Sequence, residues 1–417
     1  MRVQSLHLIQ FRNYAELNVE FSPRKNIFLG NNGQGKTNLL EALYFLSHAR
    51  SHRTSTDREL IQAGEQFALV SAQLANHYYE GRTQLDAQIK GEGERLKTVF
   101  KVNASPLRSR SEVLGYLPTV SFFLPDLLLL RGAPEDRRRW LDAAIVQYDK
   151  RHLIYLSEYQ KIRQQKNRLL KAPVEQISRE HLTAWNIQFA TAGARVIVSR
   201  LAYLSMIEDL AAIAYLELSD GREKLTMAYQ SGVLDALRQE QAQEHANGAQ
   251  LSMLAEAAVP DVVDLEVTMA RQLEAKMSEE IRRGTSLIGP HRDDIHFYLD
   301  GMQADAYGSQ GQQRSIVLAL KLTELQCLNA KLQEPPVLLL DDVMAELDPD
   351  RQRLLVEHIH PESQVFITTT HPSSSWQTLL EHQPGDGDNG IAVFTVEKGK
   401  LTDARHERYS AHSEATP

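Results

Sequence analysis

The segment Gly30-Asn31-Asn32-Gly33-Gln34-Gly35-Lys36-Thr37 sets the tightest limit on what this 417-residue chain can fold into. It fits the pattern G-x-x-x-x-G-K-T and follows an apolar run at 26–29. It opens a helix expected over about 36–48, with Leu39, Leu40, Ala42, Leu43 and Leu46 on its apolar face. Strand, glycine-rich loop and helix in that order make a phosphate cradle. The glycines let backbone N–H groups converge on anionic oxygens, and the helix start adds the positive end of its dipole. Lys36 would neutralise the β- and γ-phosphates and the Thr37 hydroxyl would ligate Mg2+, so the expected cofactors are ATP and Mg2+. Gly30, Asn31, Asn32, Gly33, Gln34, Gly35, Lys36 and Thr37 are all candidate nucleotide contacts, and the fold class that follows is α/β.

Such a site needs an apolar strand that ends in a carboxylate. Pro336-Val337-Leu338-Leu339-Leu340-Asp341-Asp342 supplies one. Asp341 would hold Mg2+, and Asp342 stands where a base polarises the attacking water. Alone, two acids after a strand are as readily a cap; beside a phosphate loop they complete a site. Tyr307-Gly308-Ser309-Gln310-Gly311-Gln312-Gln313-Arg314 precedes a helix expected over 311–333, and a Ser-x-Gly-Gln turn at a helix start forms an anion site from N–H groups and a hydroxyl. Ser309, Gly311 and Gln312 are therefore further nucleotide candidates. Ala345-Glu346-Leu347-Asp348 follows the acidic pair. An apolar strand at 364–370 leads into His371, which is as readily structural as catalytic.

Periodicity divides the chain. Residues 1–135 alternate apolar and polar side chains at several strands, with a hairpin turn at Gly91-Glu92-Gly93. Residues 136–283 turn helical, with long segments at 153–171, 182–216 and 262–282; residues 238–251 read as an exposed loop or helix end. Residues 284–402 return to α/β character, with a helix at 350–359 and a loop at 384–390 before a final strand at 391–396. Residues 403–417 are polar and expected to be disordered.

Composition narrows the function classes. Hydrophobic residues are 42% and charged residues 24%, ordinary for a globular protein, and no apolar stretch reaches the ~20 residues that span a bilayer. No membrane partner and a cytoplasmic location are expected. A single cysteine, Cys327, excludes an intrachain disulfide framework and a multi-cysteine zinc site. The net charge of −8 argues against a protein coated in positive charge, yet a local basic stripe still permits nucleic-acid binding. Arg108, Arg110, Arg131, Arg137, Arg138 and Arg139 form one basic cluster, and Lys161, Arg163, Lys166, Arg168 and Lys171 recur along one helix. Either group lines phosphates or makes a solvated face of i,i+4 pairs.

The order of phosphate loop, Ser-x-Gly-Gln turn, acidic strand and His371 resembles the ATP-binding-cassette superfamily. Within it, more local stretches resemble the recombination mediator family RecF: Phe11-Arg12-Asn13-Tyr14, Ser51-His52-Arg53-Thr54, Gly132-Ala133-Pro134, Arg137-Arg138-Arg139-Trp140-Leu141-Asp142 and Gly289-Pro290-His291-Arg292-Asp293-Asp294. The similarity runs from residue 1 to about 401; the segment near 235–260 matches loosely, and Ala345 stands where a serine is frequent. The resemblance implies a cassette head with a β-rich lobe, an α/β lobe and a short inserted helical arm. It implies that Ser309 and Gly311 reach the nucleotide of a second copy, so that ATP drives homodimerisation and slow, DNA-stimulated hydrolysis releases it. It makes His371 a switch residue. It also implies binding to single-stranded, gapped and junction DNA, with RecO- and RecR-type mediators that place RecA recombinase, in support of repair and the SOS response. An OLD-type nuclease would need a further acidic metal-binding domain after His371, and the short remainder leaves no room for one. A transporter subunit is disfavoured by the helical insert, which is also too short for the coiled coil of a chromosome-maintenance protein.

Overall fold

In the computed structural model, residues 1–75, 81–92, 95–219, 221–247, 259–370 and 390–402 are described. The chain divides into two compact units, Met1–Leu124 with Leu328–Pro417, and Pro125–Cys327.

The first unit contains two six-stranded sheets. One is antiparallel, in the order Tyr14–Glu20, Arg2–Phe11, Phe67–Ala75, Arg82–Glu92, Arg95–Val102, Ser105–Pro106. The other runs Lys400–Thr402, Ile391–Glu397, Lys25–Leu29, Val365–Thr369, Val337–Asp341, Thr119–Phe123, parallel throughout except at the Lys400–Thr402 edge. Val337–Asp341, Val365–Thr369 and Thr119–Phe123 are buried at every residue, which is why the first reads as an unbroken apolar run up to Asp341 rather than as alternation. Gln364 ties the strand Arg2–Phe11 into this unit: its side chain accepts from Val3 N–H at 2.7 Å and donates to the carbonyls of Val3 and Ser22, both at 2.8 Å. Phe21 packs edge-on against Phe366 with ring centroids 4.8 Å apart, and Phe28 stacks on Phe394 at 5.1 Å.

The second unit is mainly helical. Its helices include Pro134–Tyr148, Arg151–Leu170, Arg179–Leu218 and Val262–Arg283, of which the first and third pack on a small sheet in the order Met302–Gln303, Asp294–Leu299, Leu225–Gln230. Arg179–Leu218 has 40 residues, a rod of roughly 60 Å at the standard helical rise. Ser178 caps its start by accepting from His181 N–H. Val262–Arg283 begins on the Asp261 cap and ends at Gly284, whose φ of 65° suits the left-handed stop.

Two expectations shift. The helical segment is not bounded at 136 and 283, because Leu225–Gln230, within the stretch read as helical, pairs antiparallel with Asp294–Leu299. Residues 284–327, including the Ser309 turn, therefore belong with the helical unit rather than with the acidic strand. Residues 238–247 are the second half of the helix Gly232–Asn247. Gly93, residues 248–258, most of the loop at 384–390 and residues 403–417 lie outside the described residues.

Candidate nucleotide site

The phosphate loop joins strand Lys25–Leu29 to helix Lys36–His48, as the motif requires. Gly33 and Gly35 take φ of 79° and 116°, where side chains are strained, and a Cβ on Gly35 would meet the Asn13 amide at 2.6 Å. The loop is braced from both sides. Asn13 Nδ2 donates to Gln34 O at 2.9 Å and Tyr14 OH to Gly35 O at 2.9 Å; Gly399 N–H donates to Gln34 O at 2.9 Å and Lys398 N–H to Gln34 Oε1 at 2.7 Å. Gln34 thus works as a strut with both its backbone and its side chain. Asn31, Asn32 and Gly33 form the exposed crown.

Sheet register brings the acidic pair to the loop. Asp341 lies beside Thr368, and Thr368 beside Phe28 on the strand that feeds the loop. Thr37 donates its hydroxyl to Asp341 Oδ1 at 2.9 Å, and Thr368 donates to the same oxygen at 2.7 Å. Lys36 is 3% exposed; its Nζ donates to Gly30 O at 2.6 Å and Asn31 O at 3.2 Å and lies 3.9 Å from Asp342 Oδ2. Burial raises the Asp341 carboxyl above its usual range, the neighbouring Asp342 adds to this, and Thr368, Thr37 and Lys36 oppose it. Asp342 sits at φ 53°, and its buried Oδ1 has no hydrogen-bond partner among the described residues. A hydroxyl and two carboxylates, one of them with an orphaned oxygen, at the mouth of a phosphate loop fit a hard divalent cation with its water.

A network behind the loop stiffens its helix. Glu41 is fully buried and accepts from Arg12 Nε at 2.9 Å, Arg12 NH2 at 2.7 Å and Ser51 Oγ at 2.5 Å. Burial works against its charge, but Arg12 and Ser51 outweigh burial and hold the carboxyl below its ordinary range. Arg53 reaches the same carboxylate at 3.4 Å and Asn38 Oδ1 at 2.7 Å. Arg12, Ser51 and Arg53 stand out in the sequence only by resemblance; the signal of their role is a glutamate on the apolar side of a helix, and no such signal marks Asn13 and Tyr14.

In the other unit, Ser309 starts the helix Gln310–Leu332 and is exposed. Its Oγ accepts from Gln312 N–H at 3.2 Å while Gln312 Oε1 accepts from Ser309 N–H at 2.7 Å, a reciprocal capping box. Gln312 therefore spends its side-chain oxygen on the turn itself. Asp348 likewise accepts from Arg351 N–H at 3.0 Å to cap Pro349–His358. His371 lies outside the described residues.

Most of the expected basic cluster is spent internally. Arg110 pairs with Asp57, Arg131 donates to Gln313 at 2.7 Å, and Arg137 grips Asp294 through two bonds of 2.7 Å. Arg138 donates to Asp293 O at 2.6 Å, and Arg139 pairs with Glu135 and Asp136. Lys166 is fully buried against Glu280 at 2.7 Å, so it leaves the stripe, whereas Lys161, Arg168 and Lys171 are exposed.

Asp293 accepts from Tyr229 OH at 2.7 Å, and burial pushes its carboxyl up to about 6. A carboxyl raised on folding favours the folded state below the unfolded value of about 4, and that contribution is lost as pH rises through about 6. Asp293→Asn is therefore expected to raise stability by on the order of 2 kcal/mol at pH 7.5 and by almost nothing at pH 4. Urea unfolding at the two pH values checks this; an equal gain at both would show the cause is not ionisation.

Fold and site together define a P-loop ATPase of the ATP-binding-cassette type. The family model "RecF/RecN/SMC N terminal domain" matches residues 2–378. Relatives called DNA replication and repair protein RecF are 37% identical over 96% of this chain and 97% of the protein in Picosynechococcus, and 35% identical over 97% and 98% in Ligilactobacillus salivarius. The solved structure of recombination mediator protein RecF-ATP in the RecFOR pathway superposes with a TM-score of 0.80 at 30% identity, covering 96% of this chain and 97% of that one. An Smc head bound to the ScpA winged-helix domain shares the fold, with a TM-score of 0.50 at 13% identity. This chain belongs to the RecF family. Among the described residues, no helix is long and apolar enough to cross a membrane.

Proposed function

We propose that the protein is an ATP-dependent DNA-binding switch of recombinational repair, in which two copies close around ATP. The reading rests on one observation above the rest: Thr37 and Asp341, far apart in sequence, meet at 2.9 Å beside the buried Lys36. Lys36 and the loop N–H groups would hold the phosphates, with Thr37 and Asp341 as ligands for Mg2+ and Asp342 orienting the attacking water. The Ser309 hydroxyl and Gly311 N–H of a second copy would face the phosphates, whose charge the Mg2+–nucleotide would supply when bound, with Gln312 holding Ser309 in place. Slow hydrolysis then opens the dimer, with His371 as the phosphate-sensing switch. The relatives' name and the RecFOR title of the solved neighbours support a role in DNA repair; on this reading the protein would act on gapped, junction and single-stranded DNA, with RecO- and RecR-type mediators that place RecA.

Ser309→Arg is expected to abolish ATP-driven dimerisation while the P-loop still binds ATP. Sedimentation with and without Mg2+–ATP reads this, and an unchanged dimer would remove the two-copy site. For DNA, Lys161, Arg168 and Lys171 are the exposed cations of the stripe. Replacing all three by Ala should reduce the slope of log affinity against log salt by about 2 to 3, with little change in preference between substrates. A salt slope equal to the wild type would place the DNA elsewhere.

A further inference from the structure

The turn around Ser309 depends on an acid that lies outside every motif. Gln312 Nε2 donates to Glu223 Oε1 at 2.5 Å, and Tyr215 OH donates to Glu223 Oε2 at 2.8 Å. Tyr215 is a buried residue near the end of the helix Arg179–Leu218, and Glu223 belongs to the short connection from that helix to strand Leu225–Gln230. A glutamine amide fits many sites in either of two orientations, but here chemistry permits one. The Glu223 carboxylate only accepts, so Nε2 must face it; Oε1 must then face the Ser309 N–H, which only donates. With Gln312 held that way, its own N–H fixes Ser309 Oγ as an acceptor, and the serine O–H is left to donate outward. Gln313 secures the turn from beneath, donating to Ala304 O at 2.9 Å and Gly308 O at 3.1 Å while accepting from Arg131. Gln313 and Arg131 belong to the turn's own base, whereas Glu223 comes from the arm.

We infer that Glu223 is a positioning residue for the Ser309 turn: it sets the Gln312 amide and joins the end of the long arm helix to the surface that receives the second copy's nucleotide. This rests on the two-copy reading above. A shift of the helix end moves Tyr215 and Glu223 first, then the amide, then the serine.

The test uses the full chain and sedimentation velocity with Mg2+–ATP, with ATP affinity of the monomer measured in parallel. Glu223→Ala is expected to raise the concentration for half-dimerisation about 10-fold, the cost of one charge-assisted hydrogen bond, with monomer ATP affinity unchanged. Gln312→Glu keeps an acceptor for Ser309 N–H but sets two carboxylates face to face, so it should impair dimerisation at least as much. Combining it with Glu223→Gln restores one donor and one acceptor and should return dimerisation to within about 2-fold of the wild type. Ser309→Arg serves as the control. If it blocks dimerisation while Glu223→Ala and Gln312→Glu behave as wild type, the role of Glu223 is refuted and the two-copy site stands. Failure of the exchanged pair to recover from Gln312→Glu likewise refutes the contact, even if Glu223→Ala does not fold. If Ser309→Arg also dimerises normally, the two-copy site itself is wrong and the role of Glu223 falls with it.

Discussion

Lys36→Arg is expected to lower ATP turnover by about 100- to 1,000-fold, while nucleotide affinity falls far less. The ammonium is enclosed by the carbonyls of Gly30 and Asn31 at 2.6 and 3.2 Å, with Asp342 Oδ2 at 3.9 Å. That pocket suits a compact point charge on a flexible stem. A guanidinium keeps the positive charge, and with it much of the ground-state attraction for phosphate, but it is planar and wider. It cannot follow charge that develops on a transferring phosphoryl group from the same position. Single-turnover kinetics beside a nucleotide titration separates the two effects. Equal loss in both would make Lys36 a binding residue only, and unchanged turnover would remove it from the site.

Lys166→Met is expected to destabilise the helical unit by about 3–5 kcal/mol, the cost of leaving one member of a buried ion pair uncompensated. Lys166 and Glu280 both have fully buried side chains, and Glu280 also accepts from Leu287 N–H at 2.8 Å while the ammonium lies 4.8 Å from the Phe189 ring. The second substitution Glu280→Gln should recover a large part of the loss, because a neutral amide still accepts from Leu287 and no longer carries an unpaired charge. Urea midpoints of the two single variants and the double variant form the cycle. A Lys166→Met protein as stable as wild type, but with weaker DNA binding, would return this lysine to the surface stripe.

Those two lysines mark the line between what the residues say and what only the fold can say. Lys36 was legible because its neighbours in sequence are its neighbours in space. The same holds for helix Lys36–His48 and for Val337–Asp341, whose unbroken apolar run announces a strand covered on both faces. The chemistry of Lys166 depends on Glu280, and that of Arg137 on Asp294, partners that periodicity does not reveal. Thr119–Phe123 has only five residues, and its pattern does not distinguish a strand from a short buried turn until Val337–Asp341 is placed alongside. Leu225–Gln230 carries Leu, Met and Ala, which suit a helix, and becomes a strand only through pairing with Asp294–Leu299. Within the site, the loop and acidic pair could be read directly. The braces Asn13, Tyr14 and Gly399 could not, because a brace is defined by what it touches.

Those braces bear on how the protein is made. The strand that feeds the phosphate loop lies between Ile391–Glu397 and Val365–Thr369, and the loop's last supports are Lys398 and Gly399. A ribosome emits Lys398 364 residues after Gln34, the loop residue it holds. Until then Asn13 and Tyr14 brace the loop from one side only and the strand that feeds it lacks Ile391–Glu397, so the nascent polypeptide carries the motif long before it can grip a nucleotide. Ribosome-bound chains halted before residue 390 should therefore fail to retain ATP. The nucleotide is in this sense a late check that synthesis has run through both units.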